Sequence, residues 1–407
     1  MSTLSKQSDE VEVEMGKLRN RGGNKLALVM LVGVAVLVSG CVGPESVAAS
    51  EGVAVDRVES EQATFRVVQV ASGLARPWGM AFLPDGRLLV TERVGGLLIV
   101  EEDGSKREVS GLPPIAVAGQ GGLLDVILDP EYESSRVVYL SYVYRDGSSM
   151  GTAVARATLS GTQLEDVETI FEMSPGGSTT RHFGSRFAFL PDGTLLFTIG
   201  DRGERSRAQD LGDHAGKTIR INTDGSVPSD NPFVDDPDDP DARAEVYTYG
   251  NRNAQGMTVH PQTEVVWQHE HGPKGGDEIN IVQAGANYGW PLVSYGDEYS
   301  GGSIGVGTTM EGVEDPLIHW TPSIAPSGMD FYEGSRFPEW QGDLFVGALA
   351  GRHLRRVEVS GERVVGQERL LDGVLGRIRD VETGPDGFLY LITDANNGGL
   401  FRLEPVE

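Results

Sequence analysis

SRFAFLPDGTLLFTIGD, residues 185–201, consists of an apolar stretch, a Pro-Asp-Gly turn and a second apolar stretch. Its flanks alternate as β-strands do, and glycine at the turn is free to take positive φ, so the segment predicts a hairpin. The same grammar recurs along the chain. PWGMAFLPDGRLLVTERVGGLLIV (77–100) and GLLDVILDPEYESSRVVYLSYVY (122–144) precede it; QGMTVHPQTEVVWQHEHG (255–272), SGMDFYEGSRFPEWQGDLFVGAL (327–349) and RDVETGPDGFLYLITD (379–394) follow. No long segment of helical period appears after the first forty residues. Six unequal strand repeats at the spacing of propeller blades predict an all-β chain folded as a six-bladed β-propeller, each blade burying its face on the next. FRVVQV (65–70) would pair with LFRLEP (400–405) and close the ring. A β-sandwich is the competing architecture, and it leaves the repetition unexplained.

The composition suits such a fold. Of 407 residues, 55 are Gly, 21 are Pro and 39% are hydrophobic, which describes a turn-rich globular protein with a large core. A formal charge of −26 argues against a nucleic-acid surface, because phosphate binding needs clustered Lys and Arg. Residues 25–41, KLALVMLVGVAVLVSGC, follow Lys17, Arg19 and Arg21 and resemble a bacterial lipoprotein leader ending at the acylated cysteine. Cys41 is the single cysteine, so no disulfide forms within one chain. The acidic residues 1–14 fit poorly ahead of such a leader, and Met15 offers a better start. The expected organisation is a lipoprotein-type signal peptide over 1–40, a small and polar tether over 41–63, and one propeller domain over 64–407. The mature domain is expected outside the cytoplasm, in the periplasm or on the outer cell surface of a bacterium, attached to membrane only through Cys41. The acidic run DNPFVDDPDDPDARAE (230–245) reads as a solvated loop, since Pro every few residues splays its carboxylates.

Histidine 182 and Asp201 flank the hairpin quoted first, and antiparallel pairing would bring them together. GQGGLLDV (119–126), RHFGSRFAF (181–189), TIGDRG (198–203), YGNRNAQGM (249–257), EHGPKGGDEIN (270–280), NYGWP (287–291) and GRIRDVETGPDGFLY (376–390) together resemble the soluble quinoprotein sugar dehydrogenases, a family that includes soluble glucose dehydrogenase and the bacterial aldose sugar dehydrogenases. The resemblance spans about residues 64–405 in order. It implies a six-bladed propeller that holds pyrroloquinoline quinone (PQQ) and calcium in a cleft and oxidises aldoses at C1 to the lactone, passing electrons to an acceptor such as a cytochrome or a quinone. It also implies roles. His182 matches the catalytic base and Asp201 the residue that orients it. Gln120, Arg252, Asn253, Tyr299, Arg377 and Arg379 match cofactor positions, and arginine forks suit the carboxylates of PQQ. Gly272 and Pro273 match carbonyl ligands of the calcium beside PQQ; Glu278 and Tyr288 match a second calcium site of the aldose dehydrogenase branch.

Two positions depart from soluble glucose dehydrogenase. Arg181 stands where that enzyme has an aspartate, and Ala350 where it has a cofactor-binding lysine, although Arg352 lies two residues on. Two other readings use a similar fold: a calcium-dependent sugar lactonase, which needs no arginine cluster, and a binding propeller without catalysis. Fold alone does not choose among them.

Overall fold

A computed structural model describes residues 52–406 of the chain. Six antiparallel sheets form six blades, and each of the six repeats opens one. The inner strands are Pro77–Phe82, Leu123–Leu128, Phe187–Phe189, Ala254–Val259, Pro326–Phe331 and Ile378–Thr383, in blades 1 to 6. Each packs on the next, and the sixth returns to the first, so the ring is closed. The expected six-bladed propeller is the observed one.

Closure works as anticipated from the chain ends. Thr64–Leu74 pairs antiparallel with Gly398–Pro405, so the first propeller strand completes the last blade. One feature differs from expectation. Gly52–Glu59, assigned to the tether, is a strand paired outside Thr64–Leu74, with irregular register. Most of its side chains are exposed, but Val55 and Val58 pack on the blade 6 core, so backbone pairing to a free sheet edge is joined by this partial burial. The expected tether is thus strand at 52–59, while the leader, Met15 and Cys41 lie outside the described residues.

Blades cohere through apolar residues of facing sheets. Leu89, Leu97 and Ile99 of blade 1 pack with Leu123, Val138 and Leu140 of blade 2, all fully buried. Each such side chain contributes about 1.5–3 kcal/mol relative to exposure.

Along the axis the rule changes from apolar to charged. The third residue of each repeat's inner strand, or its equivalent, is Gly79, Asp125, Arg186, Gly256, Gly328 or Asp380. The Arg186 guanidinium lies 3.1 Å from Asp125 and 3.0 Å from Asp380, donates from Nε to the Gln255 carbonyl at 3.1 Å, and stacks on Trp78. The glycines make room: a Cβ on Gly79 would meet Asp125 Oδ1 at 2.5 Å, and one on Gly328 would meet Asp380 Oδ1 at 1.6 Å. A single cation thereby ties blades 1, 2, 3, 4 and 6 at the centre of the ring.

Candidate active site

Within each blade successive strands run antiparallel, so the loop before an inner strand and the loop after the second strand emerge at the same mouth of the ring. In blade 3, Phe187 pairs with Phe197, which brings the residues before 187 beside those after 199. His182 and Asp201 meet there, with Nδ1 2.6 Å from Oδ1. His182 has φ 57°, a left-handed conformation in which its own N–H reaches the Gln120 amide oxygen at 2.8 Å. Two further donors fix the aspartate: Gly203 N–H to Oδ1 at 2.7 Å and the Trp290 indole N–H to Oδ2 at 2.8 Å. With those oxygens serving as acceptors, Nδ1 of His182 carries the hydrogen and Nε2 keeps its lone pair.

Burial lowers the His182 pKa below the usual 6.5, and the bond and charge of Asp201 oppose that fall without cancelling it. Burial also pushes Asp201 up, but its bond to His182, the imidazole charge and the Gly203 N–H hold it below the ordinary carboxylate value. The pair is therefore a neutral imidazole on an ionised carboxylate at neutral pH.

Close approach makes Gly200 obligatory. A Cβ there would stand 2.4 Å from the His182 carbonyl oxygen and 2.8 Å from Asn253 Oδ1. We expect Gly200→Ala to shift the His182 loop and lower kcat about tenfold to hundredfold, the usual scale for displaced catalytic groups, with folding retained. Steady-state kinetics and a melting curve on the same preparation check it; unchanged kcat would mean the loop yields without moving the imidazole.

The expected cofactor residues converge from several blades. Asn253 Oδ1 accepts the Gly184 N–H at 3.2 Å, and Arg252 Nη1 donates to the carbonyls of His271 and Gly272 at 3.0 and 3.1 Å. Arg377 and Arg379 lie on one side and share a carboxylate: Arg377 Nη2 is 2.9 Å and Arg379 Nη2 3.5 Å from Asp394 Oδ2. Arg379 is buried, and its Nε has no partner. Burial lowers its pKa to about 10, partly countered by Asp394. Tyr299 is 71% exposed in a small hairpin closed by pairing of Asp297 with Ser303, and the hairpin's Glu298 pairs with Arg205, which stacks over Trp290. Ala350 is exposed in a turn held by its N–H to the Ile324 carbonyl, and Arg352 beyond it is also exposed.

A second recess adjoins the first. It is lined by Arg252, Glu270, Gly272, Glu278, Tyr288 and Trp290. Glu270 accepts from the Arg252 backbone N–H and from Asn251 Nδ2, the latter at 3.0 Å. Burial raises the Glu278 pKa well above its ordinary value, and the charge of Glu270 adds to the rise. The Tyr288 hydroxyl is committed, donating to the Ile281 carbonyl at 2.6 Å, so the donor this residue can offer a metal is its own carbonyl. Gly272 and Pro273 lie in the same turn, anchored by Gly272 N–H to Asp277 Oδ1 at 2.9 Å.

Several residues at this mouth receive no role in the linear reading, although Arg202 lies within TIGDRG: Trp290, Asp394, Arg76, Arg93 and Arg202. Arg202 is fully buried, stacks on Phe183 at 3.5 Å, and donates to the His182 carbonyl at 3.2 Å and the Thr179 carbonyl at 2.6 Å. Only NYGWP, as a motif, pointed near Trp290.

A propeller with a carboxylate-oriented imidazole and a guanidinium cluster at one mouth has the architecture of an oxidoreductase acting on sugars. The comparisons with known proteins agree. The Glucose / Sorbosone dehydrogenase family model matches residues 74–402. Aldose sugar dehydrogenase YliI of Escherichia coli strain K12 is 43% identical over 351 residues, covering 84% of this chain and 94% of that protein. The apo crystal structure of the soluble aldose sugar dehydrogenase from Escherichia coli superposes with TM-score 0.81 at 42% identity, covering 84% of this chain and 100% of that one. The PQQ-bound aldose sugar dehydrogenase of Streptomyces coelicolor gives TM-score 0.67 at 30% identity, covering 83% and 96%. This chain belongs to the glucose/sorbosone dehydrogenase family.

Proposed function

We propose that this protein oxidises aldoses at C1 to the lactone with PQQ and calcium, His182 acting as general base. The observation that carries the reading is the juxtaposition of the His182–Asp201 pair with a guanidinium cluster richer in charge than its one carboxylate can balance. An anionic cofactor fits there: Arg379 Nε is buried without an acceptor, and a tricarboxylate would supply several. A divalent cation fits the adjoining recess, because Glu270 and Glu278 crowd two carboxylates where burial penalises both charges. Arg377, Arg379, Arg252, Asn253 and Gln120 would hold the quinone, and Glu278 with the carbonyls of Gly272, Pro273 and Tyr288 would hold calcium. When bound, PQQ would supply the two-electron acceptor for the hydride from C1, and calcium a Lewis acid beside it.

The chain's own contribution is the proton. Nε2 of His182 takes it from the anomeric hydroxyl as C1–H leaves, and Asp201 stabilises the imidazolium that forms. Trp290 and Gly203 keep the carboxylate from rotating away. The arginine cluster has no use in a lactonase, and a binding propeller would show no PQQ-dependent dye reduction with any aldose.

The test is to mix apo-protein with PQQ and Ca²⁺ and to screen aldoses for reduction of an artificial electron acceptor. We expect activity that needs both additions and is abolished by removing calcium with a chelator. Aldose oxidation unaffected by PQQ, or lactone hydrolysis in its place, would overturn the proposal. We further propose that Cys41 is lipid-modified and that the mature domain works outside the cytoplasm, handing electrons to a cytochrome or quinone. Mass spectrometry showing an unmodified chain continuing upstream of Cys41 would refute the anchor.

A further inference from the structure

Blade 1 contributes two arginines to the cleft that no family motif assigned. Arg76 Nη1 lies 3.9 Å from Asp394 Oδ1, on the same carboxylate that Arg377 and Arg379 share. The Arg93 backbone N–H donates to the Arg76 carbonyl at 2.9 Å, and its Nη1 donates to the Gly119 carbonyl, next to Gln120, which receives the His182 N–H. Arg93 is partly buried and feels Arg76, Arg377 and Asp394, which places its charge in the same cluster. Three guanidiniums, Arg76, Arg377 and Arg379, thus share one carboxylate, Asp394, and Arg93 adjoins them.

Like charges do not assemble beside a single counter-ion without cost, and buried polar atoms are ordinarily paired. Here three guanidiniums share one carboxylate, and a buried guanidinium Nε has no acceptor. The missing group is therefore a compact polyanion. At the same time Ala350 has no charge to offer at the position of the glucose dehydrogenase lysine.

We propose that Arg76 and Arg93 are cofactor-binding residues: they complete a carboxylate cradle shared between blades 6 and 1, in place of the lysine absent at Ala350. The inference rests on the PQQ reading of the preceding subsection and adds to it two residues and a direction of approach. Arg93 has a second consequence. Because it also holds the Gly119 carbonyl, it couples occupation of the cradle to the loop that positions His182 through Gln120.

The experiment measures binding, not turnover. Apo-protein, R76Q, R93Q, the double variant and R377Q are titrated with PQQ at fixed calcium by equilibrium dialysis. Each single change should raise Kd about tenfold and the double variant about a hundredfold, as expected for lost charge-assisted hydrogen bonds. Raising ionic strength should weaken the wild type more than the double variant, because fewer charges remain to be screened. Arg76 has a side chain 40% exposed, so R76Q leaves the core intact and decides the matter even if R93Q melts early. Variants that bind within twofold of wild type while R377Q is weakened would overturn this inference and leave the PQQ reading standing. A wild-type protein that fails to bind PQQ would overturn both.

Discussion

His182→Gln should retain PQQ and calcium yet lose two to four orders of magnitude in kcat, roughly the worth of a positioned general base. The geometry makes the loss specific. Nδ1 is engaged by Asp201 at 2.6 Å and Nε2 is the remaining basic atom of a side chain 12% exposed. Glutamine keeps the polar contact but has no basic nitrogen. Asp201→Asn should also fall steeply, since Oδ1 faces the donors of His182 and Gly203 while Oδ2 faces the Trp290 N–H. An amide must turn its NH₂ toward one of these donors, and the imidazole loses its tautomer or its orientation. The pH dependence carries a sign. Base catalysis needs neutral His182, and burial sets its pKa below 6.5, so kcat/KM should hold through neutrality and fall as pH drops through that lower value. In Asp201→Asn the term that raises the imidazole pKa is gone, and the acid limb should move to still lower pH. A cofactor-loaded His182→Gln enzyme turning over near the wild-type rate would remove this residue from the chemistry.

What the linear sequence reveals depends on the distance over which residues cooperate. The hairpin grammar of SRFAFLPDGTLLFTIGD acts within one blade, so both the blade and the meeting of His182 with Asp201 are legible from local pairing. Ring closure by residues 65–70 is legible too, because a propeller needs a partner for its last strand. The cradle is different. Arg76, Arg93 and Asp394 sit in turns of blades 1 and 6, separated by some three hundred residues, and only closure of the ring makes them neighbours. Trp290 reaches Asp201 from a long loop of blade 4, whose path no periodicity encodes. The Tyr299 hairpin is held to this mouth by Glu298 and Arg205, a pair 93 residues apart that no local pattern encodes. The strand at 52–59 went unread because its pattern is mostly exposed and the sheet edge and core surface that Val55 and Val58 meet are created by the fold itself.

Removing the axial cation should have the largest effect on stability. Arg186→Met fills a similar volume but leaves Asp125 and Asp380, both buried, without their shared counter-ion. Breaking a buried pair in this way typically costs about 3–5 kcal/mol. With an unfolding entropy of about 2.1 cal/mol/K per residue over roughly 350 residues, that is a fall in melting midpoint of about 4–7 °C. The cost should depend on pH. Burial already raises the Asp125 carboxyl to about 7 with Arg186 beside it, so without the guanidinium both carboxyls must bind a proton to stay buried. A group whose folded pKa lies above its unfolded value loses stability as pH rises toward the folded pKa; wild type and variant share that loss up to about pH 7, where wild-type Asp125 ionises beside Arg186, so the deficit of Arg186→Met should widen from about pH 7 upward. Neutralising the partners tests the assignment. Asp125 also accepts the Phe187 N–H at 2.8 Å and Asp380 the Met80 N–H at 3.0 Å, bonds that asparagine oxygens can keep. Adding Asp125→Asn and Asp380→Asn to Arg186→Met should therefore recover much of the lost stability, because the two carboxyls that paired with Arg186 are then neutral. If Arg186→Met alone melts within a degree of wild type across this pH range, the ring is held by its inter-blade apolar packing, and the axial charges are incidental to it.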